Sequence, residues 1–338
     1  MSNLLTRIVR RADGYILLLL GTVVLASLLP PRGGWTTFAS IFTDVAIVLL
    51  FFLHGARLSR QAVLDGARNW RLHLTVVAMT FVLFPLLGLG ISDIPGLAPT
   101  LATGMLFLTL LPSTVQSSIA FTATARGDVA AAVCSASFSN LAGMVLTPAL
   151  AALLIGAHEA GVSGGGAVTV LMQLLLPFLA GHLLGPWIGG WVAKHKRLVT
   201  TVDRGSILLV VYTAVGAAVV DGLWQRVSVF DLAIIFALSS ALLAVVMIAG
   251  WQTGRLFGFT RAARIVLLFC GSKKSLASGV PMAGALFAPA QVGAMILPLI
   301  FFHQIQLIIC AYLARRLAET DVVQKESGTA PQAIRCRT

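Results

Sequence analysis

The chain has 338 residues, of which 58% are apolar and 11% charged, with 24 Lys and Arg against 12 Asp and Glu, a net charge of +12 and a mean hydropathy of +0.93. A soluble domain carries about 25% charged residues and has too little interior to hide so much apolar surface. The composition argues against a soluble enzyme, a secreted disulfide module or a disordered chain, and for a polytopic α-helical membrane protein with no sizeable soluble domain.

A membrane-spanning helix needs about 20 mostly apolar residues. Such stretches run over about 14–30, 36–57, 72–91, 98–122, 129–156, 167–192, 206–224, 231–254, 265–287 and 290–314, ten in all. Arg7, Arg10 and Arg11 precede the first in the manner of a signal peptide, but no A-x-A site follows, so it is read as a retained helix. Pro30-Pro31-Arg32-Gly33-Gly34 and Asp93-Ile94-Pro95-Gly96 form short turn-rich loops, and a Gly-rich piece at 161–166 separates the fifth stretch from the sixth. With the N-terminus in the cytoplasm, 20 of the Lys and Arg fall in inside segments, and only Arg32 and Arg226 fall outside. This is the positive-inside pattern; it explains the net charge without a nucleic-acid partner and puts both termini inside. Residues 1–160 and 161–316 then hold five spans each. An odd number per half inserts the halves with opposite orientation, so if they are related they form an inverted repeat. Residues 317–338 are polar, contain Pro331 and read as a disordered cytoplasmic tail.

Transporters of this kind place their sites at broken helices, so polar or helix-breaking residues inside the fourth and ninth spans draw attention. The fourth carries Pro112, Ser113, Thr114, Gln116, Ser117 and Ser118. Proline deletes one helical hydrogen bond and clashes with the preceding turn. Freed carbonyls and hydroxyls here suit a cation or a substrate; equally, they suit a kinked helix whose Ser and Thr bond back to their own turn.

The ninth span carries Gly271, Ser272, Lys273, Lys274, Ser275 and Ser278. The lysines come nine and ten residues after Arg264, roughly 14–15 Å along a helix, which is near mid-bilayer. A lysine at that depth costs about 2.5–3.5 kcal/mol unless it meets water, an anion or polar backbone. The other reading puts both lysines in a cytoplasmic loop and starts the span at Leu276.

The fifth span carries Ser135, Ser139 and Asn140, either polar glue between helices or part of a binding surface. Asp44, in the second span, is either part of a proton relay or near the outer interface. Gly181, Gly185 and Gly189, and Gly250, Gly254 and Gly258, are spaced by four and read as close helix packing. Cys134, Cys270, Cys310 and Cys336 form no CxxC, and His54, His73, His182 and His303 form no metal pair, so neither metal nor cofactor is expected. No GxxxxGK[ST] is present, which argues against an ATP-driven pump, and no nucleophile–base set supports an enzyme.

Leu111–Ser118, Ala125–Ala132, Ser139-Asn140-Leu141 with Leu146-Thr147-Pro148, and Gly271–Leu276 resemble the bile acid:sodium symporter superfamily, in particular its bacterial sodium-bile-acid-symporter-like branch, over about residues 10–315. The resemblance implies ten transmembrane helices in two inverted five-helix repeats. It implies a core domain of spans 3–5 and 8–10, with spans 4 and 9 discontinuous and crossing, and a panel domain of spans 1, 2, 6 and 7. It implies uptake of a small organic anion with sodium across the bacterial inner membrane, by rocking of core against panel. The chain departs from the sodium-coupled members. Phe269 stands where they carry Glu, Lys273-Lys274 stand for a Gln-Asn pair, Thr80 stands for a Gln, and Ser117-Ser118 fit a Ser-Asn pair. Ligands to sodium are lost and positive charge is gained, so sodium coupling is doubtful. A lysine ammonium in the cation's place would hold the broken helix and attract the anion, with proton coupling or none.

The expected substrate- or ion-binding set is therefore Lys273, Lys274, Ser272, Ser275, Ser117, Ser118, Thr114, Gln116, Ser139, Asn140 and Thr80. The expected function is a secondary transporter of a small organic anion; the alternative is a membrane-embedded sensor or regulator that binds a ligand without moving it. Oligomeric state stays open.

Overall fold

The computed structural model describes residues 14–57, 69–156 and 164–326. Every regular element among these residues is helical. In chain order they are α1 (Gly14–Leu28), α2 (Gly34–Ala56), α3 (Trp70–Ala78), a π-helical turn (Met79–Leu83), α4 (Phe84–Ser92), α5 (Pro99–Leu110), α6 (Gln116–Thr124), α7 (Val129–Leu154), α8 (Gly164–Lys194), α9 (Lys196–Val220), the short α10 (Leu223–Arg226), α11 (Val229–Leu256), α12 (Arg261–Gly271), α13 (Leu276–Leu286) and α14 (Pro289–Glu326). Among the described residues, seven stretches are long and apolar enough to cross a membrane: Gly34–Ala56, Trp70–Ser92, Val129–Leu154, Leu174–Lys194, Lys196–Val220, Val229–Leu256 and Gln291–Thr320. The chain is thus a polytopic membrane protein. Its exposed large side chains, such as Leu183, Trp187 and Ile248, are what a lipid-facing helix surface presents.

Several boundaries differ from the sequence reading. α9 starts at Lys196, ten residues before the expected 206, because Lys196, Arg197, Asp203 and Arg204 continue the helix beyond its apolar part. α14 continues to Glu326, past residue 317 where the polar tail was expected to begin. Residues 327–338 of that tail, the arginines at 7, 10 and 11, and Arg60 and Arg68 lie outside the described residues.

Two groups of helices meet around the site. α2 packs along α8, and α9 packs on both α1 and α2. In the other group α5 lies against α4 and α14, α11 against α12, and α7 against α3, α6 and α12. α9 touches α13 and α14 across the boundary, and α8 touches α7 and α13. The α2–α8 contact is backbone on backbone: a Cβ on Gly181 would collide with the Phe52 carbonyl, and one on Gly55 with the Phe178 carbonyl. Close packing thus accounts for Gly181, and Gly250 and Gly254 lie against the side chains of Met79 and Arg264. Gly258 has a different role. Its φ of +67° ends α11 in a left-handed turn in open space, a conformation glycine adopts without the Cβ penalty.

α3 and α4 form one rod with a π turn between them, and Pro85 explains its consequence. In the π register the Phe84 N–H bonds to the Met79 carbonyl, five residues back. The next donor in that register would be Pro85, which has no N–H, so the Thr80 carbonyl is left without a helical partner.

Gly181→Val should strain the α2–α8 seam by about 1–3 kcal/mol and lower the thermal unfolding midpoint of the detergent-purified protein. Gly190→Ala, whose Cβ meets nothing within 4 Å, should leave the midpoint unchanged or raised. Equal midpoints for the two variants would contradict the packing argument.

Candidate functional site

The helical path is interrupted at two places that lie against each other. α5 ends at Leu110, residues 111–115 are not helical, and α6 begins at Gln116. Leu111 is extended (φ −76°, ψ 153°), as the residue before a proline prefers. α12 ends at Gly271, residues 272–275 are not helical, and α13 begins at Leu276 with Ser275 as its N-cap. The Ser275 Oγ accepts from the Ser278 N–H at 3.2 Å, which satisfies one of the donors a helix start leaves open.

Broken helices leave backbone groups that must find partners in a water-poor interior, and here the partners can be named. The Ser275 N–H donates to the Pro112 carbonyl at 2.9 Å, joining the two interruptions through their backbones. The Leu110 carbonyl accepts from Thr147 Oγ1 at 2.7 Å, and the Ser113 N–H donates to Ser139 Oγ at 3.2 Å. The Ser118 hydroxyl donates to the Phe269 carbonyl at 3.0 Å. Gln306, on α14, pairs with the peptide of Lys274: its Oε1 accepts from the Lys274 N–H and its Nε2 donates to the Lys274 carbonyl, each at 2.9 Å.

Lys274 supplies the rest. Its Nζ donates to the carbonyls of Thr80 at 2.9 Å, Thr109 at 2.7 Å and Leu111 at 2.7 Å, and lies 4.0 Å from the centre of the Phe84 ring. An ammonium has three protons, and three carbonyls take them. One of those carbonyls is freed by Pro85 and two by the end of α5. Lys274 is 0% exposed, so the cost of burying its charge is offset by a complete set of charge-assisted hydrogen bonds and an aromatic face.

Lys273 is also 0% exposed but differently held. Its Nζ donates to Ser117 Oγ at 2.6 Å and lies 4.3 Å from the centre of the Phe121 ring. The thiols of Cys270 and Cys310 and the imidazole of His303 are its electrostatic neighbours. Burial of both lysines excludes the surface-loop reading of this segment. Ser117 accepts from Lys273, so its own proton points elsewhere and is a stronger donor for it.

Above the two interruptions lies a cavity of about 310 Å³. Thr114, Gln116, Ser117, Asn140, Ser275 and Ser278 line it from the side of the breaks, and His54, Arg57, Phe178, Asp203, Arg204 and Ile207 from the side of α2, α8 and α9. His303 and Leu307 contribute from α14. A wider cleft of about 720 Å³ shares Arg57 and Gln116 with it and adds Lys196. Asp203 is held by Arg57, with Nη1 to Oδ2 at 2.5 Å, and faces His54 at 3.6 Å. The N-termini of α6 and α13 both start at the cavity wall, and the partial positive charge of a helix start adds to the field of Arg57 and Arg204. Hydroxyls and the amides of Gln116 and Asn140 offer directional hydrogen bonds, and Val115, Leu141, Phe178 and Leu276 offer apolar wall.

The expected residues divide between these two places. Thr114, Gln116, Ser117, Asn140 and Ser275 line the cavity. Lys274, Ser118 and Ser139 tie the interruptions together, whereas Ser272 bonds back to the Leu268 carbonyl. Thr80 contributes its carbonyl, while its hydroxyl bonds back to Val76. Ser135 bonds to His73 Nδ1 at 2.7 Å and acts as polar glue between α7 and α3. Asp44 is exposed and lines a separate cavity of about 420 Å³ with Thr37, Ser40 and Thr43. Sequence reasoning missed Gln306, His303, His54, Arg57, Asp203 and Arg204. The run Phe302-His303-Gln304-Ile305-Gln306 inside the otherwise apolar last span was the available signal for the first two.

Residues 13–319 match the model of the SBF-like CPA transporter family. Among individual proteins, the chain is 49% identical over 323 residues to the putative symporter YfeH of Escherichia coli (strain K12), covering 95% of this chain and 97% of that one. It is 52% identical over 309 residues to PA2026 of Pseudomonas aeruginosa, covering 90% of this chain and 93% of that one. It is 25% identical over 316 residues to sodium/bile acid cotransporter 7-B of Xenopus laevis, covering 90% of this chain and 91% of that one.

Lys274→Met would leave three buried carbonyls without a donor, at about 1–3 kcal/mol each. Lys273→Met removes one hydrogen bond. In a denaturant titration of the purified protein, Lys274→Met should lose at least twice the stability that Lys273→Met loses; the reverse order would contradict the assignment.

Proposed function

The chain belongs to the SBF-like CPA transporter family, and from that premise we propose that it is a secondary transporter that moves a small organic anion across the bacterial inner membrane without sodium. The observation that carries this reading is the Lys274 ammonium on the Thr80, Thr109 and Leu111 carbonyls. Backbone carbonyls at a broken helix are hard oxygen donors of the kind a sodium ion takes. Here a covalently attached cation of the same charge takes them. The group that holds the interruptions together is thus part of the chain and does not have to be loaded from either side.

In this reading the ten apolar stretches are ten transmembrane segments in two inverted five-helix repeats, and both termini are cytoplasmic. The interrupted segments are α5–α6 and α12–α13. α3 to α7 and α11 to α14 form a core. α1, α2, α8 and α9 form a panel that rocks against it, exposing the cavity to one side at a time. The anion sits where the starts of α6 and α13 meet Arg57 and Arg204. Ser117, its oxygen engaged by Lys273, donates its proton to the anion, and Thr114, Asn140 and Ser275 orient it. The names of the relatives, a symporter and a sodium/bile acid cotransporter, support transport and an organic acid as cargo. The carbonyls occupied by Lys274 argue against the sodium part of the second name for this chain.

The test is uptake and counterflow in proteoliposomes, using labelled aryl and steroid carboxylates as probes. Uptake should be the same with sodium or choline outside. Lys273→Gln should abolish it while the protein stays folded by size exclusion. A sodium stoichiometry, or full activity in Lys273→Gln, would contradict the proposal. Saturable binding with no counterflow for any probe would favour a sensor.

A further inference from the structure

Gln306 has no unused polar atom. Its Oε1 accepts from the Lys274 N–H and its Nε2 donates to the Lys274 carbonyl, which fixes which end of the amide is which. The second Nε2 proton points at His303 Nδ1, 2.9 Å away. An amide nitrogen only donates, so Nδ1 must accept. His303 is therefore neutral here, with its proton on Nε2. His303 is only partly buried and forms part of the cavity wall, which gives a proton a path to it from the cavity.

A proton added at Nδ1 turns this contact into two donors facing each other. The Gln306 Nε2 that loses its acceptor is the same nitrogen that donates to the Lys274 carbonyl. Gln306 would then lose both its bond to His303 and its hold on the Lys274 peptide, at the point where α12 gives way to α13.

We propose that His303 is the proton-binding residue of this transporter, and that its protonation releases Gln306 from the Lys274 backbone and so loosens the interruption at 272–275. This deepens the transport reading, on which it rests for its meaning as coupling: the cotransported ion is a proton from the cavity, bound at Nδ1 of a neutral imidazole. No other reactant is needed. Lys273 and the Lys274 peptide lie on the α12–α13 side of His303, and the other charged and titratable groups of the cavity it lines are His54, Arg57, Asp203 and Arg204. The lysines and arginines oppose a second positive charge, whereas Asp203 and an incoming anion favour it. Cargo and proton therefore favour each other's binding. The sign follows: the neutral form holds the clamp, so the clamp is complete at high pH and is lost as pH falls through the titration of His303.

The test needs no known cargo. Hydrogen–deuterium exchange of full-length protein in nanodiscs reads the protection of the Lys274 amide after correction for the intrinsic pH dependence of exchange. In the wild type, protection should fall about tenfold per pH unit below the titration of His303, as one-proton linkage requires. In His303→Gln the slope should vanish. In Gln306→Glu it should reverse, because a carboxylate accepts from an imidazolium. A wild-type profile that is flat from about pH 8 down to about pH 3, or a slope that survives in His303→Gln, would overturn the inference. Either result would leave sodium-independent transport standing, and a loss of transport would not by itself produce either.

Discussion

One ammonium, Nζ of Lys274, joins three stretches of backbone that have lost their helical partners. It takes the carbonyl that Pro85 frees in the π turn and the two carbonyls exposed where α5 ends before Pro112. Without it, three buried acceptors would lose the donor they now share. With it, the start of α13 is tied at once to α3–α4 and to α5. The backbone bond from Ser275 to Pro112 and the paired bonds from Gln306 complete the junction. The cost of a buried charge is a reason to expect such a residue to be fully hydrogen-bonded, and this one is.

The cavity owes its character to the same junction. Because both segments leave the helical path together, α6 and α13 both begin at the cavity wall and present their helix starts to it. Ser117 carries the influence of Lys273 to the surface of the chamber, since the ammonium engages the hydroxyl oxygen and leaves its proton for a ligand. Across the chamber the Arg57–Asp203 pair links α2 to α9. Positive groups thus reach the cavity from both groups of helices, and in the proposed transport cycle a ligand seated between them would bridge the surfaces that move. His303 stands beside this seat and is connected to the Lys274 peptide by one side chain, Gln306.

Much of this was legible in the residues. The helical membrane fold follows from apolar runs of spanning length, and Pro112 and the Gly271–Ser275 run mark the interruptions because proline removes a donor and lysine cannot sit against lipid. The roles within the site were less legible, for a physical reason. Lys274 binds carbonyls, and a carbonyl is the same atom on every residue, so nothing in the side chains of Thr80, Thr109 or Leu111 announces the contact. Only Pro85, five residues after Thr80, hints at the first. The two lysines look alike in the sequence, and only their neighbours decide that one holds the backbone while the other polarises Ser117. The charged residues at the start of α9 were assigned to a loop because they interrupt the apolar run, yet Lys and Arg are good helix formers. Asp203 reaches the cavity because that helix continues.

The central claim is that a fixed ammonium fills the position a bound cation would take. It is tested most directly by the thermal unfolding of the purified protein in sodium chloride and in N-methylglucamine chloride at equal ionic strength. A ligand that binds only the folded state raises its stability by RT ln(1 + [L]/Kd), so a sodium site would raise the midpoint steadily with sodium. The account predicts coincident midpoints at every concentration. A sodium-specific rise would show that the cation still has a place of its own and would contradict it.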